Sequence, residues 1–140
     1  MSDERYFLDT NILVYANDSS DPARRGVAAK LISEGVRAGT AHISSQVLSE
    51  FWVTITQKIH VPLARDVAEA ELRHLGAMSV VIVDYRAVQA AVHFQARYRI
   101  SYWDALVVAA AHAARCPLLY TEDLSHGQTY GEVVARNPFV

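Results

Sequence analysis

The sequence has little of several features that would place it in a special class of protein. Its 140 residues include one cysteine, so no disulfide can form within the chain and a reducing compartment is expected. No apolar run approaches the ~20 residues that a membrane-spanning helix needs. The opening segment, MSDERYFLDT, lacks the apolar core of a secretory signal. These absences predict a cytoplasmic protein with no membrane segment.

An excess of positive charge is missing as well. The chain has 13 Lys and Arg against 15 Asp and Glu, a net charge of −2, which argues against binding nucleic acid through bulk positive charge. A nuclease is not excluded, because its acids can gather at a metal ion while its arginines lie around it. The lone thiol, Cys116, has only Arg115 beside it and is interpreted as a packed core residue rather than a nucleophile.

Short apolar runs alternate along the chain with stretches of helical spacing. The runs predict strands at residues 6–8, 41–43, 80–83 and 117–120, with a short final strand near 138–140. Helices are predicted over 11–16, from Pro22 toward Gly39, through 47–52 after a Ser44 or Ser45 cap, from after Pro62 to near Gly76, through 88–95 after an Asp84 cap, and from Ser101 to Ala114. The length fits a single domain over residues 1–140. This alternation implies an α/β fold, a parallel sheet covered by helices on both faces.

Four acidic residues fall near the edge where such a sheet binds ligands, the carboxyl ends of its strands. Asp9 directly follows the first predicted strand, and Asp123 lies in the loop after the fourth. Glu50 lies near the start of the helix after the second strand, and Asp104 in the first turn of the helix that precedes the fourth. Gathered carboxylates repel one another, and a bound divalent ion is the usual remedy. Ligands that are all oxygen favour Mg²⁺ or Mn²⁺ over zinc.

Each acid also has a purely structural alternative. Asp9 could cap the next helix, and Glu50 could be a solvated residue of an amphipathic helix. Asp104 could close a capping box with Ser101, and Asp123 could stabilise a turn. Against these alternatives, the helix that bears Asp104 is apolar almost all round and offers no Lys or Arg one turn along. An acid there is costly unless it is paired or bound to a cation.

Four blocks of the sequence resemble the PIN-domain family, and within it the VapC-type toxins of toxin–antitoxin modules. The blocks are FLDTNILVY at 7–15, SQVLSEF at 45–51, ISYWDALVVAAA at 100–111 and LYTEDL at 119–124, with HGQ at 126–128 after them. They follow the family order across nearly the whole chain. Each block alone is weak evidence, and together they are specific.

The resemblance implies a three-layer α/β/α sandwich around a central parallel sheet of about five strands. It implies a metal-dependent endoribonuclease that uses Mg²⁺, or Mn²⁺ in its place, and acts as the toxin of a type II toxin–antitoxin module. RNA, a cognate antitoxin and a second copy in a homodimer are the implied partners. Glu50 would bind metal or take the proton of the attacking water. The implied catalytic and metal-binding residues are Asp9, Glu50, Asp104 and Asp123, supported by Asn11 and Thr121.

Other functions stay open beside this one. A PIN-type nuclease that processes RNA without being a toxin would use the same site. A phosphohydrolase also places an acid after its first strand, but a haloacid-dehalogenase-type enzyme needs a second acid two residues later, where this chain has Asn11. In a metal-binding interaction module the acids would hold a structural ion.

Two arginine clusters are candidate contacts to RNA. Arg97-Tyr98-Arg99 interleaves two charges with an aromatic ring, a pattern that could hold phosphate and stack a base. A solvated helix end whose cations complement the helix dipole is at least as good an interpretation. Arg24 and Arg25 form a second candidate patch with the same alternative.

Overall fold

A computed structural model describes residues 4–140. Residues 1–3 of the predicted domain, which also begin the opening segment MSDERYFLDT, lie outside the described residues. The strands are Tyr6–Leu8 (β1), Ala41–Ser44 (β2), Ser79–Val81 (β3), Leu118–Tyr120 (β4), Thr129–Tyr130 (β5) and Val133–Arg136 (β6). The helices are Thr10–Tyr15 (α1), Pro22–Ala38 (α2), Ser45–Val53 (α3), Arg65–Leu75 (α4), Tyr85–Tyr98 (α5) and Tyr102–Ala113 (α6). A π-helical turn, Thr54–Lys58, continues α3.

The strands form one sheet in the order β3-β2-β1-β4-β6-β5. Five of them are parallel, and β5 pairs antiparallel with β6 at the edge. From β1 the chain moves outward to β2 and β3, then returns through α5 and α6 to β4 on the other side of β1. With right-handed crossovers, this reversal places α1–α4 on one face and α5 and α6 on the other. The predicted α/β sandwich with about five parallel strands is confirmed.

The helix starts follow from side-chain caps that the sequence indicates. The Asp21 carboxylate accepts the Arg24 N–H at the start of α2, with Pro22 in the first turn, and Gly39 ends that helix at a φ of 72°. The same kind of cap begins three further helices, with Ser44 before α3, Asp84 before α5 and Ser101 before α6. Local chemistry therefore sets where the site-bearing helices begin.

The core fixes the two elements that carry the site. In β1, Phe7 and Leu8 are fully buried between the helical layers, as expected for a central strand covered on both faces. In α6, residues 105–111 are all buried. Both elements are thus held rigidly, with their ends at the sheet edge. None of the helices within residues 4–140 has the length and apolarity that crossing a membrane would need.

Two strand predictions differ from the structure. The third strand ends at Val81 rather than Val83, because the Val83 N–H donates to the Ser45 hydroxyl (3.0 Å) instead of a neighbouring strand. The predicted strand at 138–140 is wrong. The chain forms the β5–β6 hairpin at 129–136 instead, and its two-residue turn begins at Gly131 with a φ of 64°. Pro138 lacks the N–H that a strand ladder requires.

Candidate metal centre

Three of the four predicted acids lie together. One carboxylate oxygen from each of Asp9, Asp104 and Asp123 lies within 4.8 Å of the others. Asp9 follows β1, Asp123 lies in the loop after β4, and Asp104 lies in the first turn of α6. Because β1 and β4 are adjacent and parallel, the first two reach the same edge. The strand order reverses between these two strands, which is where open α/β sheets bind ligands.

Asp9 is the most buried of the three acids, with 5% of its surface exposed. The Thr121 hydroxyl donates to its Oδ2 at 2.7 Å, and the Thr10 N–H donates to its Oδ1 at 2.7 Å. The same Thr121 oxygen accepts the main-chain N–H of Asp123 at 3.1 Å. Thr121 therefore fixes the position of one acid and the backbone of another.

Burial and mutual repulsion raise the pKa values of two acids of this group, Asp9 and Asp123. Loss of solvation, together with repulsion from the carboxylates of Asp123 and Asp104, raises the pKa of Asp9 to about 7, although the hydrogen bonds from Thr121 and Thr10 lower it. The pKa of Asp123 is also raised, first by burial and then by Asp104. In the described part of the chain none of these three acids is in an ion pair, whereas other acids such as Asp21, Glu34, Glu69 and Glu122 are.

The residues present fit a hard divalent cation. The group supplies three carboxylate oxygens with no neighbouring Lys or Arg to neutralise them in the described part of the chain. Asn11 adds a further oxygen beside them: its Nδ2 donates to Asp123 at 3.0 Å, and its buried Oδ1 has no hydrogen-bond partner. Oxygen-only donor sets of this kind suit Mg²⁺ or Mn²⁺.

The raised pKa of Asp9 makes the stability of the metal-free protein depend on pH. Between the unfolded value of 3.8 and about 7, the folded state binds more protons at this group than the unfolded state does. The contribution of Asp9 is therefore greatest at low pH and is lost as pH rises through about 7, by on the order of a few kcal/mol. Urea denaturation in EDTA at pH 5 to 8.5 should show wild type losing stability relative to Asp9→Asn as pH rises. If the two proteins differ in free energy of unfolding by the same amount at every pH, the raised pKa of Asp9 is contradicted.

Glu50 is exposed on α3 and does not join the three-carboxylate group. Its Oε1 accepts a hydrogen bond from the Gln46 amide at 2.7 Å, and the same amide nitrogen lies 3.4 Å from the carbonyl oxygen of Trp103. Glu50 is thus linked to the residue before Asp104 rather than to the acids directly. Sequence reasoning missed Gln46, although its spacing of four residues from Glu50 on a helix was an available signal.

Glu122 is turned toward other partners although it adjoins Asp123. The Tyr15 hydroxyl donates to it at 2.6 Å, and this bond to a carboxylate raises the pKa of Tyr15 to about 12. Arg24 lies 3.9 Å from the other Glu122 oxygen and over the Tyr15 ring. Arg24, a predicted RNA contact, is therefore engaged within the protein.

The other predicted contact, Arg97-Tyr98-Arg99, is largely structural. The Tyr98 ring lies 5.1 Å from that of Tyr130, and its hydroxyl accepts the Gly131 N–H at 2.6 Å. Arg97 lies over the Tyr98 ring, and Arg99 ends α5 with a φ of 54°. The ring of Tyr98 is thus not free to stack a base.

Cys116 is buried, and burial raises the pKa of its thiol to about 12. Such a thiol stays protonated and is a poor nucleophile. The interpretation as a packed core residue is confirmed.

Fold and site together define an α/β protein with a cluster of carboxylates at the switch point of its sheet. The PIN domain family model matches residues 6–132, so the chain belongs to the PIN domain family, and the resemblance is confirmed.

A toxin–antitoxin complex from Klebsiella pneumoniae shares 18% identity with a TM-score of 0.69, over 95% of this chain and 97% of that one. VapC20 of Mycobacterium tuberculosis, a sarcin-ricin loop cleaving toxin, shares 21% with a TM-score of 0.67, over 84% of this chain and 89% of that one.

A third similar structure is VapBC2 from Rickettsia felis bound to a DNA fragment from its promoter. It shares 18% identity with a TM-score of 0.65, over 94% of this chain and 97% of that one. At these identities the likeness establishes a common fold. No curated protein matches the sequence.

Proposed function

We propose that this protein is a divalent-metal-dependent endoribonuclease and the toxin of a type II toxin–antitoxin module. The observation that carries the proposal is the group of Asp9, Asp104 and Asp123 at the switch point of a PIN fold, with no cationic side chain paired to it in residues 4–140. The structural likeness to a sarcin-ricin loop cleaving toxin and to a toxin–antitoxin complex supports both halves of the proposal.

In the proposed mechanism these three acids hold Mg²⁺ or Mn²⁺. A divalent ion bound there would supply Lewis-acid activation of a water and neutralise charge on the scissile phosphate. Thr121 favours the ionised form of Asp9 by donating to it, and Asn11 orients Asp123. Glu50 lies outside the three-carboxylate group, which supports its role as the base that takes the proton of the attacking water over a role as fourth ligand.

The proposed partners are RNA, a cognate antitoxin and a second copy of this chain, in the cytoplasm. Helix α5 carries an exposed apolar row of Tyr85, Val88 and Val92 on its outer side, and Ile82 is exposed just before it. Residues at this spacing share one face of a helix. A contiguous apolar face in contact with solvent supports a protein partner.

The alternatives make different predictions for the same protein. A PIN nuclease that is not a toxin would cleave RNA without arresting growth. An interaction module would bind Mn²⁺ at the same acids and cleave nothing. A haloacid-dehalogenase-type phosphohydrolase is disfavoured because the position of its second acid holds Asn11, which donates to Asp123.

Induction of the protein alone in a bacterial host is expected to arrest growth, and Asp9→Asn should relieve the arrest, because that substitution removes the most buried charge of the metal site. Asp66→Asn, which neutralises an exposed acid of α4, is the matched control and should remain toxic. Growth curves with immunoblots for expression make the comparison. Equal toxicity of wild type and Asp9→Asn would show that the arrest does not arise from hydrolysis at this site.

A further inference from the structure

Trp103 adjoins Asp104 in the chain and presents a large aromatic surface to solvent. Trp103 is 63% exposed. By contrast, the seven residues that follow Asp104 in α6, residues 105–111, are all buried. Tryptophan is highly buried on average in folded proteins. Trp103 precedes Asp104 in the first turn of the helix, so the two Cα atoms are about 3.8 Å apart. A side chain of this size is thus open to solvent at the edge of the metal centre.

The position of Trp103 is fixed from two sides. Its ring meets that of Tyr102 edge to face, with centroids 5.2 Å apart and planes at 76°. Its carbonyl oxygen lies 3.4 Å from the Gln46 amide that also donates to Glu50. Gln46 thus holds the main chain at Trp103 and Tyr102 contacts its ring, while most of the surface of the residue stays accessible.

Other aromatic side chains near the clustered acids are less accessible than Trp103. Tyr15, Tyr102 and Tyr120 are half-buried, whereas Trp103 is exposed. Tyr15 also donates to Glu122, and the ring of Tyr120 packs edge-on against that of Tyr6. An unpaired base near the metal centre would thus find its most accessible stacking partner in Trp103.

We propose that Trp103 is a nucleobase-stacking subsite of this enzyme, which binds a base flanking the scissile phosphate at the metal centre of Asp9, Asp104 and Asp123. The inference rests on the proposed nuclease function and names a residue of this chain that contacts the bases of its RNA substrate. Proteins that recognise single-stranded RNA commonly stack splayed bases on aromatic rings. Loss of one such contact weakens binding by about tenfold to a hundredfold.

Fluorescence can report the stacking directly, because the chain has two tryptophans, Trp52 and Trp103. In the double variant Trp52→Phe, Asp9→Asn, the remaining indole is the probe and the RNA should stay intact. This variant is titrated in Mg²⁺ with a single-stranded RNA oligonucleotide, and with an oligonucleotide of equal length that carries abasic positions. The base-bearing RNA is expected to quench the emission, and the abasic one to leave it nearly unchanged.

Affinity measurements then separate stacking from other roles of an exposed aromatic residue. In the Asp9→Asn background, Trp103→Ala should raise the Kd for single-stranded RNA by about tenfold to a hundredfold, and Trp103→Phe should retain most of the affinity. Val67→Ala removes part of another exposed apolar side chain, on α4, and should leave the Kd unchanged.

The possible failures have different meanings. If wild type cleaves RNA but Trp103→Ala binds as tightly as its parent, or no quenching occurs, the stacking subsite is overturned and the nuclease function stands. If Trp103→Ala and Val67→Ala weaken binding equally, the effect is not specific to stacking and the inference is overturned. If wild type neither binds nor cleaves RNA, the proposed function fails and the subsite fails with it.

Discussion

Asp9→Asn is expected to lower the rate of metal-dependent RNA cleavage by at least about a hundredfold, since even residues that only support metal ligands are worth roughly 10- to 100-fold. Asp9 is buried, accepts hydrogen bonds from Thr121 and Thr10, and shares its site with two other carboxylates. Asparagine has nearly the same shape, so the substitution removes a charge without opening a cavity. Initial rates on single-stranded RNA with Mg²⁺ or Mn²⁺, and with EDTA, measure the effect.

Comparison of Glu50→Gln with Asp9→Asn separates a loss of catalysis from a loss of metal binding. Because Glu50 lies outside the three-carboxylate group, its substitution should slow cleavage while Mn²⁺ affinity stays within a few-fold of wild type. Asp9→Asn should lower both the cleavage rate and the Mn²⁺ affinity. Rate measurements report the first quantity, and calorimetric titration with Mn²⁺ reports the second. Cleavage that continues undiminished in excess EDTA would refute the metal mechanism for both residues.

The parts of the fold that local chemistry determines were predictable. Caps such as Asp21 and Ser101 bond to N–H groups three residues away, so their signal is contained in a few neighbouring residues. The β5–β6 hairpin was missed because its first strand has two residues, too short for a periodic pattern. The bond between Tyr15 and Glu122 joins residues 107 apart in sequence, a pairing that no local pattern contains.

The site was predictable to the extent that it follows from strand order. Asp9 and Asp123 come after strands that the alternation of elements identifies, and parallel strands bring their ends to one edge. Asp104 precedes a strand, and its place depends on how the buried helix α6 packs across the sheet. The separation of Glu50 from the others depends on the direction of an exposed side chain, which the order of the elements does not determine.

Asp104→Asn should leave the metal-free protein as stable as wild type or more stable, and should reduce the stabilisation gained from Mn²⁺. The substitution keeps the helix cap, because the bond to Ser101 Oγ comes from the main-chain N–H of residue 104. It forfeits an interaction of the carboxylate with the helix dipole, about 0.3–1 kcal/mol. It also relieves repulsion within the acid group, and two unit charges 4 Å apart repel by about 4 kcal/mol at an effective dielectric of about 20. Relief of repulsion is the larger effect.

Thermal melts at pH 8, above the pKa of about 7 that burial gives Asp9, test this balance. At a hundredfold excess over its dissociation constant, Mn²⁺ should stabilise wild type by about 2.7 kcal/mol. For a domain of this size that is a rise in Tm of roughly 5–10 °C, and Asp104→Asn should show a smaller rise. If Asp104 were only part of a helix cap, the variant would melt lower in EDTA and neither protein would respond to Mn²⁺. That pattern would remove Asp104 from the metal centre, since a ligand must couple the stability of the fold to the metal.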